Sequence, residues 1–439
     1  MKKIVFGMML FALLVTFAWS GGGQSQAPAA GAAPGSLKGT TINVLMGTMP
    51  WSDFIIPLIP EFTRETGIIV DLETQPETPL RNKIVVELTA RSKNIDVYTC
   101  SPAQEVPMFT KNNWVEPLDD YMSKSAGYDV ADFIPGAIAG SRFNNKVFAI
   151  PVFTERPVVY YRTDLFKEKG IAIPKTLDEL LEAAKKLHDP ANKVYGFVER
   201  GVGGGSITQF YAFIYSFGGN PQSADFRKAT INTPEMMKAY EYYGEILGKY
   251  GPPGVLNMNW GETLNLLMEG LVAMRIDCDS QFPPTQDPSK TKLTDKIDFF
   301  PFPEGPAGFG AWNTAPWALC IPSFSTKKAA AWEFIRWATT KEMSARSMRE
   351  GGQFATRQTP WKDPNATSKF PTNLVSSVQK TMTSKFAIER PVVIRVGQAR
   401  DIIGVVVQAA IQGTRGAELQ KLADKQNGEF QALIDEDYK

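Results

Sequence analysis

Short apolar runs alternate with longer amphipathic ones from Thr41 onward. Thr41-Ile42-Asn43-Val44-Leu45-Met46 reads as a strand, and Asp53 to Thr66 as a helix closed by Gly67, with Pro57 and Pro60 interrupting its first turns. Ile68 to Leu72 is a second strand. Thr78 and Pro79 open a helix running to about Ser92, and Asp96 to Thr99 is a third strand. Strand–helix–strand order of this kind implies a parallel sheet with helices on its faces. The pattern continues beyond it. Val158 to Tyr161 is strand-like, and Thr176-Leu177-Asp178-Glu179 is a capping box opening a helix to Leu187. Thr233-Pro234 starts a helix toward Tyr250, and Trp260 to Glu269 is a helix ended by Gly270. The strand Val272 to Ile276 follows, and Ser325 or Thr326 caps a helix through Trp337. The glycine cluster Gly201-Val202-Gly203-Gly204-Gly205-Ser206 lacks both a strand–GxGxxG–helix context and a P-loop lysine, so it reads as a loop.

Ahead of this pattern stands Met1-Lys2-Lys3 and an apolar run from Ile4 to Ala18. The run is short for a membrane span and suits a signal-peptide core, with cleavage expected after Ser20. No cysteine follows that could take a lipid. Gly21 to Ser36, with no charge and no branched aliphatic residue, reads as a flexible tether. These features predict an exported protein, periplasmic and soluble.

The chain of 439 residues suits two lobes rather than one domain. Lys and Arg total 47 against 46 Asp and Glu. Loss of Lys2 and Lys3 would leave 45 against 46, a balance that speaks against a nucleic-acid partner. His188 is the one histidine and sits where a helix should end, which leaves little room for histidine-based catalysis or a multi-histidine metal site. Cys100, Cys278 and Cys320 match no metal motif; three small buried residues, or one disulfide plus a free thiol, are the two readings. Nothing calls for a cofactor or a metal.

Several segments carry a resemblance. Glu61-Phe62-Thr63-Arg64-Glu65-Thr66-Gly67-Ile68 is similar to an F-x-x-E-T-G-I segment of the family 1 extracellular solute-binding proteins, the maltose-binding-protein-like group serving ABC importers. Phe148-Ala149-Ile150-Pro151 with Tyr160-Tyr161-Arg162-Thr163-Asp164-Leu165-Phe166 resembles that family's Y-A-L-P and Y-Y-R-x-D-L-F. Gly270 to Met274, Trp317 to Pro322 and Ala330 to Phe334 resemble its G-K-A-A-M, W-x-L-x-I-P and A-A-W-E-F, in the family's order. Glu105 to Phe109, Asn113 to Leu118, Arg200-Gly201, Tyr250 to Gly254 and Gly305 to Gly308 resemble its polyol and monosaccharide binders. Where those carry Trp-Gly-Glu-Asn, this chain reads Gly203-Gly204-Gly205-Ser206-Ile207-Thr208-Gln209.

The resemblance implies an α/β fold, the two-lobed periplasmic binding protein type II architecture, with a ligand cleft between lobes and several interlobe crossings. These would fall near 151–156, 312–318 and 355–370. Lobe I would take 37–152 plus 318–365, and lobe II 153–317 plus 366–439. The implied function is capture of a sugar or polyol by hinge closure and delivery to the permease of an ABC importer, by a monomer without enzymatic activity. A polyhydroxy ligand needs carboxylates to accept hydroxyl protons, arginine donors and aromatic faces for its C–H surfaces. The residues so placed are Trp51, Glu105, Glu155, Arg200, Asp277, Trp312 and Trp317, with Asp279 as an alternative to Asp277. Core packing competes for each tryptophan, and salt bridging for each charged group. Two other functions compete: a carbohydrate hydrolase using paired carboxylates, and a ferric-iron binder using Tyr160 and Tyr161, which as strand neighbours face opposite ways.

Overall fold

The computed structural model describes residues 37–308, 315–381 and 389–439. The expected signal peptide and tether lie outside the described residues.

The first lobe is built on β1 (Thr41–Gly47), β2 (Ile69–Gln75) and β3 (Val97–Cys100). β1 pairs parallel with both others, on its two sides, because the helices between them return the chain to the same end of the sheet. The helix Ile59–Thr66 ends at Gly67, whose φ of 73° is the left-handed cap read from the sequence. A small hairpin, β4 (Arg142–Phe143) and β5 (Lys146–Val147), precedes β6 (Ile150–Glu155). The second lobe's sheet takes β7 (Pro157–Arg162), β8 (Met274–Cys278) and β9 (Ile297–Pro301), antiparallel in the order β8-β7-β9. The chain then returns as β10 (Ala315–Cys320), which runs antiparallel between β3 and β6 to complete the order β2-β1-β3-β10-β6.

Both faces of the five-stranded sheet are buried. Ile42, Val44 and Met46 of β1 enter one core cluster and Leu45 the other; Leu319 and Cys320 of β10 divide in the same way. The larger core belongs to the second lobe, where helices Gly203–Ser216, Pro234–Tyr250, Val396–Ile411 and Gly416–Asp437 pack together.

The glycine cluster is not a loop. Gly203 to Gly205 form the first turn of a 14-residue helix. A Cβ on Gly404 would lie 2.6 Å from the Gly203 carbonyl carbon, and one on Gly204 would lie 2.4 Å from an Asp401 carboxylate oxygen. Gly244 meets the Ala410 backbone at 2.4 Å in the same sense. The glycines serve close helix approach, at a cost in helix propensity that the packing offsets.

The lobes exchange chain within very short stretches. β6 ends at Glu155 and β7 starts at Pro157, leaving Arg156 between the two sheets. Its backbone N–H donates to Asp279 Oδ1 at 2.9 Å and its Nη1 to Oδ2 at 3.1 Å, while the Asp279 N–H donates back to the Arg156 carbonyl at 2.8 Å. A third stretch runs beside them: Thr154 N–H donates to Phe354 O, and Thr356 Oγ1 to Pro151 O. The sheets also set boundaries that differ from the sequence-based division. Phe153 to Glu155 and Ala315 to Trp317, assigned above to lobe II, pair with each other in the sheet of lobe I. Continuous strand pairing, invisible in a run of local motifs, carries lobe I that far.

Gly404→Ala is expected to destabilise the protein by about 1–3 kcal/mol, since backbone cannot yield as a side-chain tip does. Gly428→Ala, exposed in the last helix with nothing near its Cβ, should gain up to about 1 kcal/mol. Urea unfolding of both variants checks this; a neutral Gly404→Ala contradicts the close-approach account.

Candidate functional site

A narrow cleft opens between the lobes, lined by residues of both. Its first-lobe wall begins where β1 ends, at Gly47 through Pro50, with Glu77 from the helix Glu77–Thr89. Carboxyl ends of parallel strands are where such sheets gather ligands. Phe153, Glu155 and Trp317 add a strip from β6 and β10. Phe153 and Trp317 are directly opposed across the strand pair, their rings nearly parallel at 12° and 6.5 Å apart. The register slips immediately after Trp317, an irregularity that re-aims side chains. The Arg81 guanidinium lies 5.1 Å from the centre of the Trp317 ring.

The second lobe contributes Arg200, Thr208, Trp260, Ser280, Gln281 and Arg390. Arg200 is fixed from behind. Its Nε donates to Asp277 Oδ2 at 2.9 Å and its Nη2 to Oδ1 at 2.5 Å. Asp277 is 0% exposed and also accepts from Arg275 Nη2 at 2.8 Å, Gln281 Nε2 at 3.0 Å, Gln209 Nε2 at 3.2 Å and the Cys278 N–H at 2.8 Å. Burial alone would raise its pKa, but Arg200 and Arg275 outweigh that and hold its carboxyl far below the usual range. Arg275, likewise 0% exposed, is lowered by burial despite its ion pair, and also donates to Gln281 Oε1 and Thr263 Oγ1. One carboxylate thus orients two arginines and two glutamines.

Glu155 has the opposite balance. Burial pushes its pKa up to about 7, opposed by Arg200 and by Ser280 Oγ, which donates to Oε1 at 2.8 Å; Glu389 and Asp277 add to the rise. Near neutral pH it is both donor and acceptor, a useful property opposite a hydroxyl.

Of the seven residues singled out from sequence, Glu155, Arg200 and Trp317 line the cleft. Asp277 stands behind Arg200 and is spent on protein partners. Asp279 is committed to Arg156. Glu105 is buried, accepts from the Ser101 N–H at 2.7 Å and pairs with Arg81. Trp51 is 2% exposed and packs in the first-lobe core with Ile42 and Val44, so core packing holds there and not ligand stacking. Trp312 lies outside the described residues. Sequence reasoning missed Phe153, Thr208, Trp260, Ser280, Gln281 and Arg390. Ser280 and Gln281 follow β8 as its carboxyl edge allows, and Trp260 follows the Asn259 helix cap. Arg390 has no local signal. Tyr160, from the iron reading, donates to Cys278 O at 2.6 Å, while Tyr161 packs its ring on Phe166 and Phe300. The three cysteines are free and buried.

Comparison with known proteins adds to the geometry. The profile of a family described as bacterial extracellular solute-binding protein matches residues 50–345. An erythritol/L-threitol-binding protein of Mycolicibacterium smegmatis is 27% identical over 341 residues, 72% of this chain and 70% of that one. A mannitol-binding protein of Pseudomonas aeruginosa is 28% identical over 60% of this chain and 61% of its own length. Among solved structures, an ABC transporter solute-binding protein of Agrobacterium radiobacter in complex with ribitol superposes with a TM-score of 0.82 at 26% identity, covering 90% of this chain and 99% of the other.

Asp277→Ala is expected to cost about 3–5 kcal/mol of stability, because two buried guanidiniums lose their counter-charge. Denaturant unfolding reads it; intact stability with a pure affinity defect would return Asp277 to the cleft surface. Glu155 gives a pH signature. A carboxyl raised from 4.5 to about 7 contributes stability below its unfolded value that is lost as pH rises through about 7. The wild-type midpoint should therefore fall relative to Glu155→Gln as pH climbs from about 5 to about 8, and parallel curves would contradict the shift.

Proposed function

We propose that this chain, which belongs to the bacterial extracellular solute-binding protein family, clasps a sugar or polyol between its lobes and hands it to the permease of an ABC importer. Its fold is the two-lobed type II periplasmic binding protein fold. The observation that carries the proposal is the division of labour in the cleft. The first lobe presents an aromatic strip, Phe153 and Trp317, against which the C–H face of a sugar can rest; the second presents Arg200, Ser280 and Gln281, pre-oriented for hydroxyls. The relatives named for erythritol, threitol and mannitol, and the ribitol complex, support a polyhydroxy ligand for this chain too.

A ligand touching both walls gains contacts only when they approach, so binding draws the lobes together. The bodies that move are the two sheets with their helices, and the pivots are the short exchanges at Arg156 and beside Thr154. The closed form is what the permease reads. The protein acts as a monomer, outside the cytoplasm, and turns nothing over. As a hydrolase it would need a free carboxylate partner for Glu155; Glu77, the other carboxylate lining the cleft, is paired with Arg81, and Asp277 is locked behind Arg200.

The test is a melting screen of the purified mature protein against alditols, monosaccharides and disaccharides. A true ligand at a hundredfold excess over Kd should add about 2.7 kcal/mol of stability, several degrees in melting temperature. Small-angle scattering with that ligand should show a smaller radius of gyration. Release of a sugar product, or tight binding with no compaction, contradicts the proposal.

A further inference from the structure

The lobes also meet away from the stretches where the chain passes between them. The helix Pro102–Lys111 follows β3 and belongs to the first lobe, where its Val106 and Phe109 enter the core. The helix Val396–Ile411 belongs to the second lobe, where Ala399, Ile402 and Ile403 enter the larger core. Gln104 Oε1 of the one helix accepts from Arg400 Nη1 of the other. At the far end of the first helix, Lys111 Nζ donates to the Asp437 carbonyl at 3.5 Å, in the last helix of the second lobe. The partners are 296 and 326 residues apart in the chain, and none of them stands in a crossing.

The two sides of the Gln104 contact are prepared differently. Arg400 is 8% exposed and is held from within its own lobe, its Nη2 donating to Thr208 Oγ1 at 2.9 Å. Thr208 is fixed in turn by Arg390, whose Nη1 donates to the same oxygen at 3.1 Å. The guanidinium is therefore in place whether or not the first lobe is near. Gln104 is partly buried near the start of its helix. Neither Gln104 nor Arg400 is among the residues lining the cleft, although Thr208 is. A hinge at the crossings that opens the cleft parts the two helices and breaks the bond, and water then takes its place on both groups. Exchange with water leaves such a bond a modest net contribution. The acceptor is a neutral amide; a carboxylate there would add a charge pair and hold the lobes shut with no ligand between them.

We infer that Gln104 and Arg400 form a latch between the lobes, a bond made only in the closed form that sets how much of the protein is closed before a ligand arrives. They are positioning residues and touch no ligand. The inference rests on the reading of the cleft as a site that closes on its ligand, and names the residues that tune that closure. The observed Kd is the Kd of the closed form divided by the closed fraction, so a change in the latch multiplies the affinity for every ligand by one factor.

Gln104→Ala and Gln104→Glu in the full mature protein test it from both directions. Calorimetric titration with ribitol, D-mannitol and D-glucose should show Gln104→Ala weakening each one that binds by the same factor, about three- to tenfold. Gln104→Glu should tighten each by a common factor, and added salt should shrink that gain. Without ligand, small-angle scattering should give Gln104→Glu a smaller radius of gyration than Gln104→Ala. The urea midpoint of Gln104→Ala should stay at the wild-type value, since the open form lacks the bond already. Unchanged affinities, factors that differ from ligand to ligand, or a loss of affinity matched by a loss of stability overturn the inference and leave the sugar-binding reading standing. If the wild type binds none of the three, the ligand-free radii decide: equal radii overturn the latch, and unequal radii uphold it while the melting screen judges the sugar reading separately.

Discussion

A buried carboxylate left without cationic partners takes up a proton; Asp277 is instead kept charged by two arginines, and it orients the polar groups at one wall of the cleft. Asp277 closes β8 with both oxygens occupied by Arg200, Arg275, Gln209, Gln281 and the next backbone N–H. Removing two arginines and an aspartate from water is expensive, and their mutual attraction compensates only when the geometry is fixed. That rigidity is what a binding wall needs. Arg200 and Gln281 reach the cleft in orientations set before any ligand arrives, so little ordering remains to oppose binding.

The facing wall obtains its rigidity differently. Phe153 and Trp317 stand on adjacent strands of a sheet buried on both faces; their rings stack, and Arg81 lies over Trp317. One wall is held by charge and the other by packing. Between them the chain passes through Arg156, clamped to Asp279 by reciprocal bonds. The strands on either side belong to different sheets, the arrangement in which a hinge displaces whole lobes while each wall stays intact.

What was legible in the sequence was local. The Thr176 capping box, the Thr233-Pro234 helix start and the Gly67 cap each depend on a few neighbouring residues, and each stands where the pattern put it. His188 ends its helix as expected. The glycine cluster misled because glycine at a helix start looks like a loop until the helix packed against it is known. The site was half legible. The family resemblance pointed to Glu155 at the first interlobe crossing, a strand end to Arg200, and the second crossing to Trp317. Asp277 was placed at the right strand end but on the wrong side of Arg200, since no sequence pattern tells whether a carboxylate faces ligand or arginine. Trp51 also follows a strand, yet its turn carries it into the core. Arg390 and Arg400 come to Thr208 from nearly two hundred residues away, a separation that only the tertiary fold resolves.

The central claim is that a single ligand is gripped by both walls while the Asp277 cluster stays intact. The structure of the complex, at a resolution that places hydroxyls, tests it most directly. The account predicts a ligand whose carbon skeleton lies against Trp317, whose hydroxyls bond Glu155 and Ser280, and behind which Arg200 remains forked onto Asp277. A ligand resting on one lobe alone, or a carboxylate of Asp277 turned from Arg200 to the ligand, would contradict it.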